Sequence, residues 1–516
     1  MSSLLKHLAS FKPFTALVIG DLMLDRLTHG DVDRLCNDAP VPVLAVQRTD
    51  ERAGGAANVC LDLAAMRGTV HALGVTGNDA AAQTLRDALK HAGIGVSGII
   101  SDASRPTTVK QSLIGLAQHR HAQKMFRLDY ESREPISQII ADAILAEFAK
   151  LLPGADIVAI EDYGKGVCTP YLCQQLIALT RSAGKQILVD PAAISDYSRY
   201  RGCTTMTPNR AEAELAAGKP HAEAGDAPKP EAYTPLAEKL LRELQMDASL
   251  ITLDKQGALL LERDSDGAVP AQGRVVPTVA RQIYDVTGAG DMVLAALCAA
   301  RANHFDWFDA VRFANAAAGL EVEQFGVVPI PLEQIYRDIL SRERVSLGKL
   351  RTINELKVEL AAIRGGMSRG TLPAGKSPQA GKVVLANGCF DVLHAGHVSL
   401  LRRAAALGEY LIVAVNDDAG VRKLKGPTRP IYPIEDRAAL LGELECVFAV
   451  VVFSEDTPER LIHEVRPDVL VKGAQYEVEK IPGARFVLDH GGTVELLEVV
   501  PGRSTTATVG KIQASA

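Results

Sequence analysis

With 516 residues, 47% hydrophobic and 23% charged, the chain has the length for two to four domains and the composition of an ordinary folded protein, which excludes a small disulfide scaffold, wholesale disorder, collagen and a coiled-coil rod. Its 56 basic and 62 acidic residues leave a formal charge of −6 with no basic block or tail, so the dense cationic surface of a nucleic-acid binder is missing. The longest apolar run, Cys446–Phe453, is far short of a bilayer span and the N-terminus lacks a signal-peptide pattern, so no membrane partner and a cytoplasmic location are expected.

In chain order, Leu17–Asp21 reads as a first buried strand, and Ala155–Glu161, Gln186–Asp190 and Leu250–Leu253 repeat its pattern after helix-like stretches. That alternation predicts α/β domains with mainly parallel sheets. Ligands of such sheets gather at the carboxyl ends of strands, which brings Asp21, Glu161, Asp162 and Asp190 near any chemistry. Gly218–Pro235, with four prolines, reads as a surface insertion. A helical run covers Met292–Arg301, and Thr352 with Glu355 predicts a capping box opening a helix to about Arg364. Gly365–Gly381 is too rich in Gly, Pro and Ser for a core element and reads as a linker, after which Lys382–Ala386 restarts a buried strand and a helical pattern runs to about Leu407. The expected domains are residues 1–345 and 382–516, joined by a helix and linker over 346–381. The eight cysteines lack metal-ligand spacing and sit mostly among apolar neighbours, as small core residues do.

The strongest local signal in the first domain is the run Asp285-Val286-Thr287-Gly288-Ala289-Gly290-Asp291 before a helix. Small residues at a helix start let backbone N–H groups close on an anion. A carboxylate there repels a resting phosphate, so Asp291 makes chemical sense as a base taking a proton from a hydroxyl that attacks a phosphoryl group. The plainer reading of the heptapeptide alone is a glycine-rich turn with an aspartate cap.

This run resembles the second signature of the ribokinase-like (pfkB) carbohydrate kinases, and Gly54-Gly55-Ala56-Ala57-Asn58 resembles the first. Gly20-Asp21, Asp25, Thr207-Pro208-Asn209-Arg210-Ala211-Glu212 and Phe313–Gly319 extend the likeness. The resemblance implies a ribokinase-like domain with a small β lid, in which Asp291 is the catalytic base. It also implies that Thr287, Gly288, Ala289 and Gly290 with Asn209, Glu212 and Asn315 line the ATP and anion side, and that Asp21, Asp25, Gly54, Gly55 and Asn58 contact the sugar. Lys110, Arg127 and Lys165 are candidates to hold a phosphate already on the substrate, against the reading that they are solvated surface charges. Magnesium is expected with ATP, and potassium is a second candidate ion. Thr107, Thr108, His119 and His121 are expected to be structural or exposed.

In the second domain, Asn387-Gly388-Cys389-Phe390-Asp391-Val392-Leu393-His394-Ala395-Gly396-His397 follows the strand. Two imidazoles three apart at a helix start point along its free N–H groups, and Gly396 leaves room for a triphosphate. The spacing differs from that of zinc proteases, so the histidines are expected to donate hydrogen bonds without binding metal. The segment resembles the cytidylyltransferase-like nucleotidyltransferases, with their His-x-Gly-His hallmark and a Rossmann-like fold. Carried over residue by residue, the likeness implies nucleotide and phosphate contacts by Gly388, Phe390, Asp391, Lys425, Arg429, Lys472, Ser504, Thr505 and Thr506, with His394 and His397 catalytic. A substrate phosphate oxygen would attack the α-phosphorus and pyrophosphate would leave, so catalysis is positioning and charge neutralisation.

A sugar kinase fused to a nucleotidyltransferase in this order resembles the bifunctional heptose kinase/adenylyltransferases. That likeness implies phosphorylation of D-glycero-β-D-manno-heptose 7-phosphate at carbon 1, adenylyl transfer to heptose 1-phosphate giving ADP-heptose for the lipopolysaccharide core, a separate phosphatase between the steps, and a homodimer. Departures at Ala192, Ala474, Gln475 and Ala507 bear on substrate contacts more than on reaction type. Competing readings are a different phosphorylated sugar or CTP as donor, and a half that only binds nucleotide.

Overall fold

The computed structural model describes residues 3–116, 123–218, 229–264, 266–278, 287–324, 326–343, 348–365, 381–474 and 476–498. The chain forms two units, Phe11–Ile335 and a second that joins Met1–Ser10 to Tyr336–Ala516.

The strands of the first unit are β1 (Phe14–Gly20), β2 (Leu22–Leu35), β3 (Pro42–Gly55), β4 (Gly68–Thr76), β5 (Gly95–Ser101), β6 (Thr108–Leu116), β7 (Gln123–Tyr130), β8 (Ile157–Glu161), β9 (Gln186–Asp190), β10 (Thr205–Met206), β11 (Ala248–Thr252), β12 (Ala258–Glu262) and β13 (Arg274–Val276). A parallel sheet runs β10-β9-β8-β1-β4-β5. Its central strands β1 and β8 are apolar for most of their length because helices cover both faces. Leu17, Ile19, Val158, Ile160 and Val189 face a core completed by Phe148, Leu172 and Leu240, while the helices Ala56–Ala65 and Ala289–Ala302 pack together and against β1. From the central β1 the chain first builds outward through β4 and β5, then returns to add β8 on the other side. The reversal lies between β1 and β8, so a ligand crevice opens beyond Gly20 and Glu161.

A separate sheet, β3-β2-β6-β7, forms the expected lid from two 14-residue strands and two shorter ones. The expectation for Leu250–Leu253 needs correction: this segment is β11, which lies in the antiparallel sheet β11-β12-β13 and not in the parallel one. A short apolar strand looks the same in either sheet, since both bury it. The insertion read over Gly218–Pro235 is also shorter than expected. Residues 219–228 lie outside the described residues, but Pro230–Tyr233 is a 3₁₀ turn leading into the helix Thr234–Glu243, with Pro235 in its first turn, where a missing N–H costs nothing. Of the cysteines, five are buried: Cys60, Cys168, Cys173, Cys203 and Cys298.

The second unit contains β14 (Leu350–Arg351), β15 (Val383–Gly388), β16 (Tyr410–Asn416), β17 (Ala449–Phe453), β18 (Val469–Gly473) and β19 (Thr493–Leu497). They form a parallel sheet in the order β14-β17-β16-β15-β18-β19. Val383 and Leu385 face one core, Val384 and Ala386 the other, the two-residue alternation of a strand covered on both sides. The reversal of direction lies between β15 and β18, beyond Gly388 and Gly473. Residues 346–381 were expected to be only a helix and linker, yet β14 is the edge strand of this sheet and pairs with β17. The capped helix is present as Ile353–Gly365, with Thr352 N–H donating to Glu355 Oε2 at 2.7 Å, and its Leu356 and Leu360 are core residues. The helix Ser3–Ala9 buries Leu4, Leu5 and Leu8 in the same unit, packs on the helix Ile353–Gly365, and receives a hydrogen bond from Tyr336 Oη to Leu8 O. Residues 366–380 lie outside the described residues.

Candidate active sites

In the first unit, the carboxyl end of β1 delivers Asp21, which is 1% exposed. Its Oδ2 accepts the backbone N–H groups of Tyr163 at 2.8 Å and Lys165 at 3.0 Å, and Oδ1 that of Val167 at 3.3 Å. Asp21 therefore staples the loop after β8. Burial raises its pKa to about 6, assisted by the charge of Asp162. Asp25 follows on β2, where Gly54 of β3 permits its approach: a Cβ on Gly54 would stand 2.6 Å from Asp25 Oδ2. Burial raises the Asp25 carboxyl, against the opposing charges of Lys110, Lys124, Arg127 and Arg52. Of the three cations expected to hold a substrate phosphate, Arg127 pairs with Asp129 and Lys165 with Glu131, while Lys110 Nζ lies 4.5 Å from the centre of the Tyr163 ring.

Asn58, in the helix Ala56–Ala65 that Gly55 caps, is buried. Its Nδ2 donates to Asp291 Oδ2 at 3.0 Å and to Asp62 Oδ2 at 3.3 Å, while its Oδ1 has no hydrogen-bond partner among the described residues. Asp291 is the third residue of the helix Ala289–Ala302, entered through Gly288 at φ 90°, a conformation that favours glycine. The Tyr163 hydroxyl donates to Asp291 Oδ1 at 2.6 Å. Burial raises Asp291 to about 6, and the bonds from Tyr163 and Asn58 hold it from rising further. Glu161, Asp190 and Asp291 each bring a carboxylate oxygen to within 4.8 Å of the others. Burial pushes Glu161 well above the carboxylate range and Asp190 to about 8; three such charges cannot coexist in one dry volume without a proton or a cation. Glu161 Oε2 is buried with no hydrogen-bond partner among the described residues, and hard oxygen donors with an unsatisfied lone pair fit a magnesium ion.

The remaining expected kinase residues serve visible local roles. Asn209 and Glu212 form a capping box at the helix Arg210–Ala216, with the Glu212 carboxyl raised by burial. Asn315 Nδ2 donates to the carbonyls of Val276 and Pro277, and Thr107 Oγ1 accepts from Gly77 N–H. Thr287 is exposed, and Ala289 and Gly290 open the helix. Asp285, Val286, His119 and His121 lie outside the described residues. Two residues were missed from sequence, Tyr163 and Asp62. Tyr163 had a usable signal, standing two positions beyond the end of β8; Asp62 lay hidden in a helical pattern.

In the second unit, β15 ends at Gly388, and Phe390 turns the chain at φ 45°. Asp391 Oδ1 accepts the N–H groups of Ile431 at 2.6 Å and Tyr432 at 3.2 Å, and its other oxygen lies 3.0 Å from Arg429. Arg437 is 1% exposed and donates to the carbonyls of Cys389, Asn416 and Tyr432 and to Asp418. His394 caps the helix Ala395–Ala405, its Nδ1 accepting from Gly396 N–H at 3.1 Å. Nδ1 of His394 therefore accepts within the protein, and its Nε2 carries the N–H that can donate to a ligand. The His394 and His397 rings stack at 3.9 Å, and Phe390 meets His397 edge-on at 5.3 Å. Burial, and then the neighbouring His394, lower His397 to about 4, so it is neutral at pH 7. Lys472, at the end of β18, lies 3.4 Å from the Asn387 carbonyl and 5.1 Å from the Tyr476 ring centre; burial lowers it to about 8. Lys425 ends the helix Asp418–Lys425 and is exposed. Gln475, Ser504, Thr505 and Thr506 lie outside the described residues.

Both halves match known families. The pfkB family carbohydrate kinases match residues 15–334 and the cytidylyltransferase-like family residues 385–487. The chain is 38% identical to the bifunctional protein HldE of Methylobacillus flagellatus, over 98% of both chains. It is 41% identical to that of Azotobacter vinelandii, over 96% of this chain and 97% of the relative. Among solved structures, phosphofructokinase-2 of Escherichia coli with substrates and products covers 64% of this chain and 100% of its own at TM-score 0.51 and 16% identity, a likeness of fold.

Proposed function

The chain belongs to the HldE family of bifunctional proteins, and on that premise we propose how its two halves divide the chemistry. It is a kinase and a nucleotidyltransferase in one chain. The substrate is D-glycero-β-D-manno-heptose 7-phosphate, phosphorylated at carbon 1 in the first unit; after a separate phosphatase removes the 7-phosphate, the second unit transfers an adenylyl group from ATP to heptose 1-phosphate, giving ADP-heptose for the lipopolysaccharide core. Similarity to bifunctional HldE proteins along 98% of the chain carries this reading.

In the kinase half Asp291 takes the proton of the carbon-1 hydroxyl as its oxygen attacks the γ-phosphorus and ADP leaves. The open N–H groups at Gly288, Ala289 and Gly290 stabilise charge on the transferring phosphoryl group. Glu161 and Asp190 would hold magnesium, which supplies charge neutralisation on the nucleotide phosphates. Asp25 and Lys110 bind the sugar phosphate from the lid, with Asp21 and Gly55 shaping the loops behind them. In the nucleotidyltransferase half, a phosphate oxygen of heptose 1-phosphate attacks the α-phosphorus and pyrophosphate leaves. Lys425, Arg429 and Lys472 neutralise the growing charge, His397 and His394 Nε2 donate hydrogen bonds to the phosphate oxygens, Gly388 and Phe390 shape the crevice, and Ser504, Thr505 and Thr506 contribute hydroxyls. The division of labour follows the two units, the kinase taking Phe11–Ile335 and the nucleotidyltransferase taking Met1–Ser10 with the chain from Tyr336 onward. Work on ATP agrees with a cytoplasmic location; no helix among the described residues is long and apolar enough to cross a membrane. A homodimer through the lid is supported by the exposure of Leu35 at 63%, Val46 at 60% and Phe126 at 63%.

Incubating the protein with ATP, magnesium and heptose 7-phosphate, with and without a phosphatase, and weighing the products by mass spectrometry tests the reading. Heptose 1,7-bisphosphate without phosphatase and ADP-heptose with it are expected. Failure to form the bisphosphate excludes the heptose substrate, and a product formed only when CTP replaces ATP corrects the donor.

A further inference from the structure

An aspartate at the third position of a helix has an easy resting place: its carboxylate can fold back onto the unpaired N–H groups of its own first turn, where the helix dipole also favours it. Asp291 holds that position in the helix Ala289–Ala302. Folded back, it would fill the anion-holding helix start with the protein's own negative charge. Its surroundings are acidic: Glu161 and Asp190 each bring a carboxylate oxygen to within 4.8 Å of one of its own, Asn58 bridges it to Asp62, and Asp25 also acts on it, with the Lys110 charge opposing.

The carboxylate is instead engaged from outside its helix. Tyr163 takes Oδ1 at 2.6 Å and Asn58 takes Oδ2 at 3.0 Å. Tyr163 is itself fixed, its backbone N–H held by Asp21 at 2.8 Å and its ring beneath the Lys110 ammonium. We propose that Tyr163 is a positioning residue that draws the Asp291 carboxylate away from its own helix start and so keeps the anion hole vacant for the phosphoryl group of ATP. The proposal rests on the reading of Asp291 as the base beside that hole.

The test is a double-mutant cycle read on nucleotide affinity. A non-hydrolysable ATP analogue with magnesium is titrated calorimetrically into the wild-type protein, Tyr163→Phe, Asp291→Ala and the double variant, and kinase kcat and KM are measured alongside. Losing one charge-assisted hydrogen bond should weaken analogue binding to Tyr163→Phe about tenfold and lower kcat about 10- to 100-fold, with KM for the sugar phosphate unchanged. In the Asp291→Ala background the competing carboxylate is gone, so Tyr163→Phe should no longer weaken analogue binding. Wild-type affinity and kcat in Tyr163→Phe overturn the proposal, as does an equal loss of affinity in both backgrounds, which marks a steric role. Near-normal turnover by Asp291→Ala would instead remove the base reading, and the affinity cycle separates the two failures because it needs no turnover.

Discussion

Asp391 and Arg429 face each other at 3.0 Å in the second unit, and the same carboxylate binds the N–H groups of Ile431 and Tyr432. One acidic side chain thus anchors both a cation proposed to meet the nucleotide and the backbone that carries it. Replacing Asp391 by alanine should lower adenylyl transfer about 10- to 100-fold, the weight of a charged hydrogen-bond network, with the kinase rate unaltered. Steady-state rates of both reactions on one preparation check this; a parallel kinase loss would mean the halves are not independent.

The base role proposed for Asp291 requires it ionised, and burial raises its pKa to about 6. Kinase kcat/KM should therefore be level above that value and fall roughly tenfold per pH unit below it. Asn58→Ala removes a bond that favours the ionised form, so its acid limb should move upward. Asp291→Asn should cost about 10²-fold or more while sparing adenylyl transfer. An acid limb near pH 4 in the wild-type protein would contradict the burial argument.

The second reaction should have a different pH window. Lys472 carries its charge only below about 8, so kcat/KM for adenylyl transfer should decline above that pH. The corresponding limb in kcat should shift upward, because bound phosphate favours the ammonium. His397, lowered from 6.5 to about 4, is half-buried and neutral. Its contribution to stability is complete above pH 6.5 and is lost as pH falls toward 4, where the unfolded chain takes up the proton first. Acid unfolding followed in the wild type and in His397→Gln checks the sign: the variant should lose less stability between pH 6.5 and 4.

Arg437 is a guanidinium inside the second unit, satisfied by three carbonyls and Asp418. Truncation to alanine leaves those acceptors without their donor and should destabilise the unit by about 3–5 kcal/mol. Chemical denaturation measures the loss; a change under about 1 kcal/mol would show that water replaces the side chain.

The central parallel strands were legible because both faces are buried and their middles are apolar runs; Gln186–Asp190 was bounded to the residue. The helix starts that carry Asp291, His394 and His397 were legible because each lies beside glycines, a local pattern. What stayed hidden is what depends on tertiary approach. Tyr163 reaches Asp291 across 128 positions of sequence, and nothing near either residue announces the other. Likewise β14 is two residues long; it is a strand only because β17 lies beside it, and its length is too short to carry a periodic signal.

The helix Ser3–Ala9 belongs to the same unit as Tyr336–Ala516, so along the sequence the kinase half lies between two segments of the other unit, which closes only when residues on both sides of the kinase have been made. Splitting the protein at the linker would therefore not yield two self-sufficient enzymes: a fragment beginning at residue 382 would lack β14, the capped helix with Leu356 and Leu360, and the N-terminal leucines that pack in the same unit. During synthesis on the ribosome, the first ten residues must wait for more than 300 others before meeting their partners. A separable version would need the N-terminal helix grafted ahead of residue 348, a rearrangement in which the order of segments changes while every packed surface is kept.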